Sequence, residues 1–206
     1  MKLLPPVAGL VLAVTLAAPS QAAQIVYSAT LAGTNEVPPN ASPGSGSATV
    51  VYDSLAQTLT VGYSFANLAS GLVDGHIHCC TTAAGNVGVA VPFTDAALPK
   101  GFTTGGDESE VYDLTSALAF SEGFLNNVAG GSVANAEAIL VNGLNSGLAY
   151  FNLHSELIPS GEIRGQLAAA TAPIPEPRIA AMLLLGLGVL GLAARQRRRH
   201  DTDSMA

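Results

Sequence analysis

Charged residues make up only 11% of this 206-residue chain, against about a quarter in an ordinary cytosolic domain. Bases are scarcer still, with eight Lys and Arg against 15 Asp and Glu. A basic footprint for nucleic acid is therefore absent, and no nucleic-acid partner is expected. Tryptophan is missing, and the two cysteines are adjacent to each other. That excludes both a disulfide-rich scaffold and a Cys-x-x-Cys redox motif. There is no glycine-rich phosphate loop ending in Lys and no nucleophile elbow. Ser155 next to His154 is not a catalytic pair, because neighbouring strand residues point to opposite faces. The chain is expected not to be an enzyme. Apolar residues are abundant, at 49% with a mean hydropathy of +0.39, which excludes an intrinsically disordered chain.

That hydropathy is concentrated at the two ends. Residues 3–18 are uncharged and apolar, with Lys2 in front and Pro19-Ser-Gln-Ala-Ala23 behind. This order of regions predicts a secretory signal peptide over 1–23, with Ser20 and Ala22 at the small-residue positions before the cut. The other end holds a Pro-rich linker at 171–178, an apolar helix at 179–194 and a basic tail at 195–206. A 16-residue helix is about 24 Å long, short of the roughly 30 Å hydrocarbon core, and spans only with help from its flanks. The arginines after it would stay on the cytoplasmic side. The tail would then cross the inner membrane transiently, with the bulk of the chain outside.

Pro175-Glu176-Pro177, the apolar helix and the cluster Arg195, Arg197, Arg198 and Arg199 follow one another in an order that resembles the PEP-CTERM sorting signal. That resemblance implies an exosortase-type partner in a Gram-negative envelope. It also implies processing of the tail, release of the body to the cell surface or beyond, and exopolysaccharide or surface proteins as neighbours.

Between the ends, residues 24–177 carry two bases, Lys100 and Arg164, against 13 acids, for a net charge of −11. Leu59, Val61, Tyr63 and Phe65 alternate with polar or small residues, as do Ile25 to Leu31 and Ala48 to Tyr52, and period-2 alternation predicts half-buried strands. A turn at Asp53–Ala56 joins two of them. Asn35–Gly46 reads as a loop. Thr115–Asn127 and Ser132–Leu144 have helical spacing, with Thr115 and Ser132 as N-caps. Leu148–His154 and Gly161–Leu167 read as two further strands around a Pro-Ser-Gly turn. Several short strands with Gly and Pro between them predict a mainly β fold, an antiparallel β-sandwich crossed by one or two short helices.

Three stretches of this body line up in order: Leu31-Ala-Gly-Thr-Asn-Glu-Val-Pro-Pro39, His76-Ile-His78, and Gly147-Leu-Ala-Tyr-Phe-Asn-Leu-His154 followed by Pro159-Ser-Gly-Glu-Ile-Arg-Gly-Gln-Leu167. Together they resemble the CHRD domain, a module first named from chordin and common in bacterial secreted proteins, here over residues 24–170. The resemblance implies an immunoglobulin-like sandwich, an extracellular setting and a binding or structural role. Many members follow His-x-His with Gly-Pro, whereas this chain has Cys79-Cys80.

All three histidines of the body fall in these stretches. His76 and His78 share one strand face with Asp74, and His154 shares another with Asn152. If the two strands are neighbours the imidazoles converge, and imidazole suits copper or zinc. Structural hydrogen bonding is the preferred reading on the sequence alone, and a metal site the alternative. For Cys79 and Cys80 a vicinal ring, bridges between molecules, free thiols and a part in a metal site beside His78 are all open, with the ring preferred. Arg164, Glu162 and Glu36 suggest an ion pair that holds the 35–39 loop against the last strand. Asp107, Glu108, Glu110 and Asp113 read as a solvated loop, since their spacing is not that of an EF-hand. One expectation is testable directly: N-terminal sequencing of the exported protein should start at Ala23 or Gln24, and a start at Met1 would refute the signal peptide.

Overall fold

The computed structural model of the chain describes residues 24–170. The signal helix expected at 1–23, the linker at 171–178, the hydrophobic helix at 179–194 and the basic tail at 195–206 lie outside the described residues. Among the described residues no helix is long and apolar enough to cross a membrane.

The fold is mainly β. Its strands are β1 (Gln24–Ala32), β2 (Ser45–Asp53), β3 (Thr58–Ala66), β4 (Leu72–Cys79), β5 (Val89–Pro92), β6 (Gly105–Asp113), β7 (Ala149–Ser155), β8 (Ile163–Gln166) and the short β9 (Ala168–Ala169). All pairings are antiparallel, in the order β5-β4-β7-β8-β1-β2-β3-β6, with β9 on β1. The expected sandwich is therefore one continuous sheet that curls over. Its two halves are joined where Ala32 of β1 meets Arg164 of β8. The curl brings inward-facing aromatics together: the Phe151 ring lies 5.4 Å from Tyr63 and 5.1 Å from Phe93. The alternation over β3 behaves as the sequence predicts, with Leu59, Val61, Tyr63 and Phe65 buried.

Helix α1 (Val133–Asn145) starts where the sequence places it. The Ser132 hydroxyl accepts from the Asn135 N–H at 3.3 Å and caps it. Ala136, Leu140 and Leu144 recur every four residues and are buried, so one stripe of the helix faces the core. Thr115–Asn127 does not form the second helix. Asp113 accepts from both the Thr115 N–H and its hydroxyl, and only short turns follow, at Ala117–Ala119 and Phe124–Val128. Phe120 is extended between these turns and buries its ring next to Phe124. Tertiary burial of the aromatics outweighs a weak helical pattern that contains Gly123. The acidic run 107–113 lies on β6, not in a loop. This strand is at one end of the sheet order, where charged side chains keep an open edge solvated.

Cys79 and Cys80 are bonded to each other, and Gly143 of α1 packs directly on both sulfurs. A methyl group at position 143 would overlap them. Overpacking of this kind costs about 1–3 kcal/mol, more than the roughly 1 kcal/mol by which alanine favours a helix over glycine. Gly143→Ala should therefore lower the unfolding midpoint. Gly123→Ala, which has open space around its Cβ, should leave it unchanged or raise it. A more stable Gly143→Ala protein would contradict the packing.

Candidate metal centre

Strands β4 and β7 pair with His76 opposite Asn152, His78 opposite Tyr150 and Asp74 opposite His154. Gly75, Ile77, Phe151 and Leu153 point into the core, so the histidines point out from the other face. That face is roofed by backbone from the 33–40, 81–88 and 156–161 segments. The ligand atoms of His76, His78 and His154 lie within 4.8 Å of one another. The convergence that the sequence left conditional on neighbouring strands is present.

Each imidazole is held from behind. His78 Nδ1 lies 2.8 Å from the Val87 carbonyl oxygen, and His154 Nδ1 2.9 Å from that of Pro159. His76 Nε2 lies 3.2 Å from Asp74 Oδ2. A carbonyl oxygen only accepts hydrogen bonds, so Nδ1 of His78 and Nδ1 of His154 carry the proton. Nε2 of His78 and Nε2 of His154 then present lone pairs. His78 Nε2 is buried without a partner. His76 Nδ1 and His154 Nε2 lie 3.0 Å apart, a hydrogen bond when His76 carries its proton on Nδ1 and a pair of facing lone pairs when it carries it on Nε2 toward Asp74.

Burial lowers the pKa of all three imidazoles below the usual 6.5, that of His78 to about 4. The trio is therefore neutral at pH 7 and ready to ligate. The His78 ring also stacks on Tyr150, with centroids 4.5 Å apart and planes 4° from parallel.

The expected Glu36–Glu162–Arg164 group is only partly assembled. Arg164 Nε lies 3.9 Å from Glu36 Oε2, a long pair. The loop is held through the Asn35 carbonyl, to which Nε donates at 2.7 Å. Glu162 takes no part. It precedes the first residue of β8 and follows Gly161, whose φ is +125°, so strand alternation does not extend to it. Its carboxylate accepts instead from the Ser42 hydroxyl at 2.5 Å and the Ala69 N–H at 2.6 Å. Sequence reasoning missed Asn152, whose amide donates to Glu36 Oε1 at 2.5 Å. Its place two residues before His154 was the available signal. The carbonyls of Val87 and Pro159 had none, because backbone acceptors carry no residue-type signature. The sulfurs of Cys79 and Cys80 sit against α1, on the opposite side of β4 from His78.

A family model for the CHRD domain matches residues 27–167, which hold the whole His76–His78–His154 face, and one for the PEP-CTERM protein-sorting motif matches residues 173–199. The chain belongs to the CHRD domain family. Neither a curated protein nor a solved structure matches it. The sorting motif makes the CHRD domain an exported body, carried through the inner membrane and processed by exosortase for the surface or the extracellular space. The CHRD domain and the sorting signal are both non-catalytic families.

Glu36 gives this site a pH signature. Burial raises its carboxyl to about 6, against the opposing pull of the Asn152 hydrogen bond and of Arg164. A raised folded-state pKa means that its share of stability is full below the unfolded value of about 4.5 and is lost as pH rises through about 6. The buried histidines act in the opposite sense, losing stability as pH falls below 6.5. Glu36→Gln keeps an acceptor for Asn152 and removes only the first effect. In metal-free protein its advantage in unfolding midpoint over the wild type should open between pH 4.5 and about 6 and persist above. A constant difference across that range would refute the assignment.

Proposed function

We propose that this exported CHRD protein is a non-enzymatic metal-binding module that holds a copper or zinc ion through His76, His78 and His154. One observation carries the reading: three imidazoles bring their ligand atoms within 4.8 Å of one another, and His78 Nε2 is buried there without a hydrogen-bond partner. Metal-bound histidines typically give their other ring N–H to a carbonyl or carboxylate, which fixes ring and tautomer. Here Val87, Pro159 and Asp74 supply those acceptors. Three neutral imidazoles without a thiolate suit Zn(II) and both copper oxidation states, and the general order of affinities puts Cu(II) first. The net charge of −11 over residues 24–177 raises the local concentration of cations. Association with exopolysaccharide or surface proteins is supported by the address that the sorting motif gives the chain.

The untagged exported protein should carry or take up one copper or zinc ion per chain in elemental analysis and titration. His78→Ala should weaken binding by at least about 100-fold, beyond the 10- to 100-fold typical of changes behind a ligand. No metal on purification and no uptake on titration would refute the reading.

A further inference from the structure

Arg164 makes its contacts mostly with backbone. It is 2% exposed, one of two bases in residues 24–177, and its nearest carboxylate oxygen is the 3.9 Å contact to Glu36. Its guanidinium donates instead to four oxygens: Asn35 O at 2.7 Å, Ala83 O at 2.8 Å, Gly85 O at 3.2 Å and Asn86 Oδ1 at 2.7 Å. Three of the four belong to the 81–88 segment. Thr82, Ala83, Ala84, Asn86 and Gly88 of that segment are exposed, so little apolar burial holds it in place. Its far end supplies the Val87 carbonyl, which accepts from His78 and, at 3.4 Å, from the Tyr150 hydroxyl. Arg164 also lies 4.6 Å over the other partner of that stack, the Tyr150 ring. On the strand register it faces Asn152, which faces His76.

We propose that Arg164 is the positioning residue of the metal centre: its planar fork clasps the 81–88 segment so that the Val87 carbonyl, with the Tyr150 ring, fixes the His78 imidazole with Nε2 pointing inward. Two routes run from the same group. The fork sets the carbonyl that holds the Nδ1–H, and the cation–π contact seats the ring on which the imidazole stacks. The role needs the shape of the guanidinium and not only its charge, because four oxygens at fixed separations are held at once. A lysine ammonium is a point charge that cannot reach them together. An anion-binding role is disfavoured by the same count, since four of the five N–H donors are already engaged with protein oxygens.

The inference rests on the metal reading above, and the experiment separates the two. Cu(II) is titrated into the exported wild-type protein and into Arg164→Lys and Asn86→Ala, with circular dichroism of each metal-free protein as the fold control. Copper EPR of each loaded form reads the ligand geometry. Arg164→Lys should keep the strand signature, lose about 10- to 100-fold in affinity, as outer-shell partners do, and show an altered copper hyperfine pattern. Asn86→Ala removes one contact of the clasp, together with the Asn86 amide bond to the Val37 carbonyl, and should move affinity and spectrum the same way by less. If Arg164→Lys fails to fold, Asn86→Ala decides alone. Wild-type affinity and an unchanged spectrum in the folded variants would overturn the positioning role while leaving the metal reading intact. A wild-type protein that binds no copper or zinc would refute the metal reading and this inference with it.

Discussion

The candidate centre depends on the register between β4 and β7. Side chains on a strand alternate, so a slip of one residue would send His76 and His78 into the core and Ile77 out of it. What prevents the slip is apolar burial on the opposite face, where Ile77, Phe151 and Leu153 are fully enclosed. Burying a side chain of this size is worth about 1.5–3 kcal/mol each, so misregister would forfeit several kcal/mol. The hydrophobic face holds the polar one, and the histidines need no favourable energy of their own to stand together.

β7 is buried on both sides. One side meets the aromatic core of the curled sheet, and the other lies beneath three segments that are themselves poor in apolar residues. Such a roof must be held by polar contacts. Arg164 ties the 33–40 and 81–88 segments together, and Asn40 donates to the Gly161 and Glu162 carbonyls and ties the first of them to the turn before β8. Buried polar groups are tolerated because they are paired. The guanidinium finds carbonyl oxygens, and Asn152 finds Glu36. Two buried atoms among the described residues have no such partner, Glu162 Oε2 and the inner His78 nitrogen, and the second lies beside the His76–His154 contact, which gives the cluster its chemical meaning.

Export and charge bear on the same point. The sorting motif directs the domain outside the inner membrane, where oxidising conditions allow the bond between Cys79 and Cys80. A body with almost no bases repels anionic polymers and draws cations, and its few buried charges serve structure.

The sequence by itself determined the sorting motif, the β class, the short strands and the identity of the three histidines. Those features depend on local pattern: hydropathy runs, period-2 alternation and residue type. It also placed His76 and His78 on one face, because two residues apart on a strand admits no other geometry. Tertiary structure alone decided that β4 and β7 are neighbours, that the sandwich is one curled sheet, and that Thr115–Asn127 breaks into turns around buried phenylalanines. It separated Glu162 from Arg164, because the turn at Gly161 interrupts the alternation on which the pairing was read. Above all it decided which ring nitrogen of His78 and of His154 carries the proton. The acceptors that fix it are mostly backbone carbonyls brought in by distant loops, and a carbonyl is the same atom in every residue, so no sequence pattern could mark it.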